Sequence, residues 1–278
     1  MPDIDVIIVG YGSAGKRHEK AARSRGLSVV TVDPDHTKKP LMFDYAHAFR
    51  AFKPQMVVVA TPPDNHLEII EAALQVTPYV LCEKPLCGHG QIEWAKAIVE
   101  TYPHQKVNVA HNYRYHKGIR EFIESGLEFF NFNMICKQHR KNKPSWGYLL
   151  DHVSHDVDIM RMLIGSDVEL TGAEHVYGND WTLWSVGFKS QNQSFTISDA
   201  VTKDEVDRVA GIHCYNSGEK DGFFIDIDAD PMMYELMWDN FVVAHSIDGE
   251  VDIPMQDAII TQEILDKIYG EAHHEFDE

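Results

Sequence analysis

The first 112 residues of the chain alternate short apolar runs with longer amphipathic stretches. Amphipathic stretches separate the apolar runs, which lie at residues 5–10, 28–33, 56–61, 79–84 and 106–111. Strands that are apolar on both faces and alternate with helices are typical of a parallel sheet covered by helices on both sides. This half of the chain is therefore predicted to form a doubly wound α/β domain.

A different pattern begins after about residue 115. Turn residues separate five segments rich in β-forming residues, which predicts strands at 129–138, 168–178, 182–190, 193–201 and 207–215. Strands connected by turns pair most simply in an antiparallel sheet. Helical spacing of apolar residues appears at 150–164, 232–247 and 257–272. We therefore predict a Rossmann domain over 1–115 and a second, α+β domain over 116–278, with a mostly antiparallel open sheet and a C-terminal helix at 257–272.

Composition excludes several classes of partner. The chain has 278 residues, of which 44% are hydrophobic and 24% charged, and these are proportions of a soluble globular protein. Its net charge of −18 argues against binding to nucleic acid or to anionic lipid, whose phosphates it would repel. The acidic start does not resemble a signal peptide, and no stretch reaches the ~20 apolar residues of a membrane span. The four cysteines have no CxxC spacing, so we expect reduced thiols in a cytoplasmic protein.

The segment GYGSAG follows the first predicted strand and opens the first predicted helix. It places Gly10, Gly12 and Gly15 in the GxGxxG spacing of dinucleotide sites. The first glycine allows a tight turn, the second lets the backbone approach a pyrophosphate, and the third lets helix and strand pack closely. The helix start then offers its unpaired N–H groups to the phosphates. Ser13 and Ala14 belong to the same predicted contact surface.

An aspartate ends the second predicted strand. In a dinucleotide site such a carboxylate accepts hydrogen bonds from the adenosine ribose hydroxyls, and it would repel a 2′-phosphate. Asp33 therefore favours NAD over NADP. The nearby Lys38 and Lys39 leave NADP as the less favoured alternative.

Polar residues also follow the third and fourth predicted strands, in TPPDNH and EKPL. Ligands of open α/β sheets lie at the carboxyl edge of the strands. Thr61, Pro62, His66, Glu83 and Lys84 are therefore predicted to contact the coenzyme, with Lys84 near its nicotinamide. The alternative for the third strand is that the prolines only initiate the next helix.

The segment DHVSHDVD at 151–158 is the densest cluster of titratable residues. On a helix, Asp151, His155 and Asp158 fall at i, i+4 and i+7 and share one face. This pattern fits an acid–base centre, a metal site or a solvated helix face. Because His152 lies off the shared face, no metal site is predicted.

Five segments resemble the Gfo/Idh/MocA family, which is named for glucose–fructose oxidoreductase and inositol dehydrogenase. The resemblance rests on GYGSAGKRH, ATPPDNH, CEKPL, NYRYHKGIR and DHVSHDVDIMRMLIG, in this order along the chain. It implies a Rossmann domain followed by an α+β domain whose open sheet often forms oligomer contacts, so a homo-oligomer is expected. It also implies a catalytic set of Lys84, Asp151 and His155, and substrate contacts from Tyr113, Arg114 and Asp158.

These residues predict an NAD-dependent dehydrogenase that transfers a hydride between nicotinamide and a secondary alcohol or ketone of a sugar, cyclitol or nucleotide sugar. His155 would be the general base, since the reference pKa of imidazole, about 6.5, lies near working pH. Lys84 would stabilise the developing alkoxide, and Asp151 would orient the imidazole or bind a neighbouring hydroxyl. Two alternatives stay open: a non-catalytic NAD-binding regulator, suggested by a second domain shorter than that of most members, or a reductase of an imine, enone or tetrapyrrole.

Overall fold

The computed structural model describes residues 2–139, 146–177, 181–191, 193–202, 209–216, 223–227, 230 and 232–273. The chain forms two compact units. The first unit takes residues up to 111 together with 234–262, and the second takes 112–233 together with the residues from 263 onward. The predicted boundary after 115 lies four residues beyond this division. Residues 234–262 also belong to the first unit, whereas all of 116–278 was predicted to form the second domain.

The first unit is built on a parallel sheet of five strands in the order β2-β1-β3-β4-β5. Its elements are β1 (Asp3–Val9), α1 (Ser13–Ser24), β2 (Val29–Val32), α2 (Tyr45–Ala51), β3 (Lys53–Val59), α3 (His66–Ala73), β4 (Tyr79–Cys82), α4 (Ile92–Thr101) and β5 (Lys106–Val109). Consecutive residues of β1 and β3 are fully buried, so both faces of the sheet are covered. The predicted doubly wound domain is confirmed.

The second unit is built on a sheet of six strands in the order β11-β10-β6-β9-β8-β7. Its elements are α5 (Lys117–Ser125), β6 (Asn131–His139), α6 (Trp146–Ile164), β7 (Glu169–Tyr177), β8 (Trp181–Ser190), β9 (Gln193–Thr202), β10 (Val209–Tyr215) and β11 (Phe223–Asp226). All its neighbouring strands are antiparallel except the central pair β6 and β9. The predicted mostly antiparallel sheet is confirmed, and the short β11 was not predicted.

One face of this second sheet packs against helix α6. Val153 and Val157 of α6 and Val186 and Phe188 of β8 are buried in the same apolar cluster. Because side chains alternate along a strand, the residues between these inward positions point to the other face of the sheet. Val186 and Phe188 thus belong to the core of the second unit.

Two further helices, α7 (Met232–Ser246) and α8 (Met255–His273), complete the described chain. In the first unit, α7 buries Met237, Trp238 and Phe241. Arg25, which ends α1, donates hydrogen bonds to the Glu235 carboxylate and backbone carbonyl of α7, and it also bonds Asp239. The burial of Trp238 and Phe241, together with these hydrogen bonds, explains why α7 packs within the first unit. Within the described residues, none of the helices combines the length and apolar character needed to cross a bilayer.

Candidate active site

The carboxyl edge of the first sheet contains a switch in strand order. Strand β1 lies between β2 and β3. The connection after β1 therefore runs to the β2 side of the sheet, and the connection after β2 runs back past β1 to the β3 side. Ligands of open α/β sheets bind in the crevice at such a point. The glycine loop at residues 10–15 and Thr61 both lie there, since the amide of Ala60 donates to the carbonyl of Val9 at 2.7 Å.

The three glycines of the loop are required for different reasons. Gly10 has φ of +95°, and a Cβ on it would lie 2.3 Å from the carbonyl oxygen of Ala60. A Cβ on Gly15 would lie 1.9 Å from the carbonyl oxygen of Gly10. A Cβ on Gly12 would meet nothing within 4 Å. The fold itself therefore needs Gly10 and Gly15, whereas at Gly12 it leaves open space.

Helix α1 begins beside that open space. Gly12 is its N-cap residue, no side chain caps the helix, and its first turn contains no acidic residue. The N–H groups of a helix start carry partial positive charge, and an anionic ligand is the group that best satisfies them. This end of α1, with Ser13 and Ala14 in its first turn, fits a phosphate-containing ligand.

Asp33 lies directly after β2 and is only 4% exposed. Its carboxylate accepts hydrogen bonds from the Tyr11 amide at 2.7 Å, the Asp35 amide at 2.9 Å and the Lys38 amine at 2.9 Å. Burial raises its pKa, but the bonds from Lys38 and from the two amides outweigh burial and leave the pKa lowered. Asp33 is thus a fixed anion, tied to the glycine loop through Tyr11 and paired with a cation.

Thr61 and His66 occupy the same edge after β3. The buried Thr61 hydroxyl has no hydrogen-bond partner within the described part of the chain, which suits a ligand group. His66 is fully buried, and its ring nitrogens lie 2.8 Å from the Thr61 carbonyl and 3.0 Å from the Pro85 carbonyl. Burial lowers the pKa of His66. The imidazole therefore links two loops, and its predicted coenzyme contact stays a prediction, as does that of Pro62.

Glu83 and Lys84 follow β4, and both are partly buried. Glu83 Oε1 lies 3.0 Å from His18 Nε2. Burial raises the pKa of Glu83, but the His18 hydrogen bond and the positive charges of Lys84 and Arg17 lower it to about 2. Glu83 is therefore ionised at neutral pH beside Lys84. His18 was not predicted to belong to the site, although it lies in the segment GYGSAGKRH, three residues after Gly15.

In the second unit, two predicted residues come together. The rings of Tyr113, in the turn Asn112–Tyr115, and His155, in α6, lie 4.9 Å apart in an edge-to-face arrangement. His155 is partly buried. Asp151 lies one turn earlier in α6, and its side chain is outside the described part of the structure. Lys84 belongs to the first unit and His155 to the second.

Arg114 and Asp158 form an ion pair in the second unit. Arg114 Nε donates to Asp158 Oδ2 at 2.8 Å, and Arg114 Nη2 donates to Asp158 Oδ1 at 2.5 Å. Asp158 is 1% exposed, and Arg161 approaches the same carboxylate at 3.8 Å. Such a forked pair holds the turn at 112–115 against α6. The predicted substrate contacts of Arg114 and Asp158 stay predictions beside this structural role.

A family model matches the N-terminal part of the chain. Residues 4–113 match the family model GFO_IDH_MocA, described as an oxidoreductase family with an NAD-binding Rossmann fold. The N-terminal Rossmann domain therefore belongs to the Gfo/Idh/MocA family of oxidoreductases.

Curated relatives match parts of the chain. The putative oxidoreductase YteT of Bacillus subtilis is 29% identical over 151 residues, which cover 47% of this chain and 35% of that protein. The inositol 2-dehydrogenase of Renibacterium salmoninarum is 23% identical over 186 residues, which cover 59% of this chain and 56% of that protein. The matches thus span about a third to just over half of these relatives.

A solved structure matches almost the whole chain in fold. The scyllo-inositol dehydrogenase of Lactobacillus casei, solved with bound NAD(H) and scyllo-inositol, superposes with a TM-score of 0.83 at 14% identity. The match covers 98% of both chains. At this identity the likeness establishes the fold of both units.

Proposed function

We propose that this chain is an NAD-dependent dehydrogenase that oxidises a secondary alcohol of a sugar, cyclitol or nucleotide sugar, or reduces the corresponding ketone. The observation that carries the proposal is the position of Lys84 on the sheet edge that also bears the glycine loop and Asp33. A partly buried lysine there would stand beside a dinucleotide laid across the strand ends. Relatives named inositol dehydrogenase and levoglucosan dehydrogenase support this class of substrate.

The described residues fit NAD. The open space at Gly12 and the uncapped start of α1 suit a pyrophosphate, and the Asp33 carboxylate suits ribose hydroxyls. The Thr61 hydroxyl supplies a further polar contact. A bound coenzyme would supply the redox chemistry, as NAD⁺ accepting the hydride of the alcohol or as NADH donating a hydride to the ketone.

The side chains of the protein would then handle the proton and the charge on oxygen. His155 accepts the proton of the substrate hydroxyl, and Lys84 hydrogen-bonds the same oxygen as it gains alkoxide character. Asp151, one helical turn before His155, orients the imidazole or binds a neighbouring hydroxyl. The edge-on ring of Tyr113 limits the positions that the imidazole of His155 can take.

An activity panel tests this proposal. The purified protein is mixed with NAD and with inositols, other polyols, sugars or nucleotide sugars, or with NADH and ketones, imines or enones, and the NADH concentration is followed by absorbance. We expect turnover with at least one of these alcohols. NAD binding with no turnover on the whole panel, in either direction, would contradict the proposed activity and favour a regulatory NAD-binding protein. Turnover only with imines or enones would favour the reductase alternative.

The choice of coenzyme depends on the charge of Asp33. We expect Asp33→Asn to weaken NAD binding about tenfold, since it removes a charge-assisted acceptor for ribose hydroxyls. It is expected to strengthen NADP binding, because Lys38 would then face the 2′-phosphate without the competing carboxylate. Titration of both coenzymes by fluorescence measures the two changes. Asp35→Asn, the same change at an exposed neighbour, is the matched control, and equal effects of the two substitutions would contradict the role of Asp33.

Two further expectations belong to the proposed function. A homo-oligomer through the second sheet is proposed because Ile135, Leu183 and Phe224 are exposed on the sheet face opposite the core. The cytoplasm is the proposed location, since the cysteines whose side chains are described, Cys82, Cys87 and Cys214, are not in disulfide bonds.

A further inference from the structure

Three side chains connect helix α7 to the loop that bears Lys84, all within the first unit. The indole Nε1 of Trp238 donates to Nδ1 of His18 at 3.0 Å, and Nε2 of His18 lies 3.0 Å from the Glu83 carboxylate. Trp238 and His18 are fully buried, and Glu83 is partly buried. The residue after Glu83 is Lys84.

The donor and the acceptor of each hydrogen bond in this connection follow from the indole of Trp238. An indole N–H can only donate, so Nδ1 of His18 must be the unprotonated nitrogen. The single proton of the neutral imidazole then lies on Nε2, where it points at the Glu83 carboxylate. Trp238 thereby fixes the tautomer of His18 that serves Glu83, since the bond at one ring nitrogen decides the state of the other.

The hydrogen bonds from Trp238 to His18 and from His18 to Glu83 keep the Glu83 carboxylate ionised. A buried carboxylate is costly unless hydrogen bonds and opposite charges compensate. The bond from His18 and the charges of Lys84 and Arg17 supply that compensation. The aromatic ring of Tyr234, also from α7, lies 5.2 Å from the His18 ring and helps to enclose it.

We infer that Trp238 is a positioning residue for Lys84, acting through His18 and Glu83. The inference rests on the proposed function, because it assigns Lys84 a role in turnover. If Trp238 only packed α7 against α1, any aromatic ring of similar size at position 238 would support the same activity. If Trp238 fixes the tautomer of His18, its N–H group is required.

Trp238→Phe tests this difference, since it keeps an aromatic ring and removes the N–H donor. Trp94→Phe is the matched control, because Trp94 is partly exposed and its Nε1 bonds Glu71 at 3.3 Å. The first readout is the ¹H–¹⁵N NMR spectrum of the histidine side chains, with the His18 signals assigned by their loss in His18→Gln. In the wild type and in Trp94→Phe we expect the His18 proton on Nε2, with Nδ1 accepting the hydrogen bond of Trp238. In Trp238→Phe, which removes that donor, we expect the Nδ1 resonance to shift and the bond from Nε2 to Glu83 to weaken.

The second readout is kcat on the alcohol found active. A His18 ring that Trp238 no longer holds donates less well to Glu83 beside Lys84, so kcat of Trp238→Phe is expected to fall about tenfold, the effect of losing one hydrogen bond to a charged group. Trp94→Phe is expected to keep the wild-type kcat. The KM for NAD is expected to stay unchanged. Wild-type NMR signals and a wild-type kcat in Trp238→Phe would overturn the inference.

A second pair of variants covers the case in which Trp238→Phe does not fold. His18→Gln offers an amide N–H to Glu83 and a carbonyl oxygen to Trp238, whereas His18→Ala offers neither. We expect the glutamine variant to retain most of the turnover and the alanine variant to lose it. Equal kcat values for the two folded variants would overturn the inference. If the wild type oxidises no alcohol, the proposed function fails, while the NMR spectra still decide whether Trp238 fixes the tautomer.

Discussion

Replacing Lys84 with alanine is expected to lower kcat about a thousandfold, the typical contribution of a group that assists proton transfer and stabilises charge on oxygen. The affinity for NAD is expected to change little, because the glycine loop, the start of α1 and Asp33, which we propose as the main coenzyme contacts, do not depend on this amine. Steady-state kinetics measures the first effect, and NADH fluorescence titration measures the second.

Lys20→Ala is the matched control, since Lys20 is an exposed lysine of α1 in the same unit. We expect wild-type turnover in that variant. If Lys84→Ala retained wild-type kcat, the proposed roles of Lys84 and of the positioning residues behind it would both be wrong. If it lost turnover and NAD affinity together, Lys84 would be a coenzyme-binding residue.

Substitution at Gly12 is expected to abolish most coenzyme affinity without harming the fold. An alanine Cβ there meets nothing in the protein, so the free energy of unfolding is expected to stay the same or to rise by about 0.5 kcal/mol through reduced chain entropy. The same methyl group would occupy the space where the backbone must approach the pyrophosphate. We expect the Kd for NAD to rise about a hundredfold, measured by fluorescence titration.

Gly10→Ala is the contrasting variant. Its Cβ would overlap the carbonyl of Ala60, and its φ of +95° is unfavourable for alanine. We expect a loss of about 3 kcal/mol or more in the free energy of unfolding, measured by urea denaturation. Tight NAD binding by Gly12→Ala would show that the open space at this glycine is not the coenzyme site.

The sheets were predictable because their strands carry a strong local pattern. The strands of the first sheet contain runs of consecutive apolar residues. Such runs indicate a sheet that is covered on both faces, because a sheet with one exposed face needs apolar residues only at alternate positions. Strand β11 was not predicted because its four residues are too few to show an alternating period, whereas the four-residue strands of the first sheet lie within longer predicted runs. The helical spacing of apolar residues in α7 was recognised in the sequence, but this spacing does not indicate which part of the protein the helix will pack against. Its union with the first unit depends on contacts such as that of Arg25 with Glu235, 210 positions apart.

The candidate site was predictable where a motif places its residues at fixed spacing. The glycine loop, Asp33 and Lys84 lie on one sheet edge because parallel strands end on the same side. The partners of these residues were not predictable. Nothing local indicates that Trp238 donates to His18, or that Asp158 receives both hydrogen bonds of a forked pair from Arg114.

The proposed mechanism requires the Lys84 amine and the His155 imidazole to serve the same substrate oxygen. A crystal structure of the protein with NAD and an alcohol that it oxidises measures this directly. We predict both nitrogens within hydrogen-bonding distance of the reacting hydroxyl, about 2.6–3.2 Å, with its carbon facing C4 of the nicotinamide. A complex in which either side chain lies far from that hydroxyl, or faces away from the ring, would contradict the proposed mechanism.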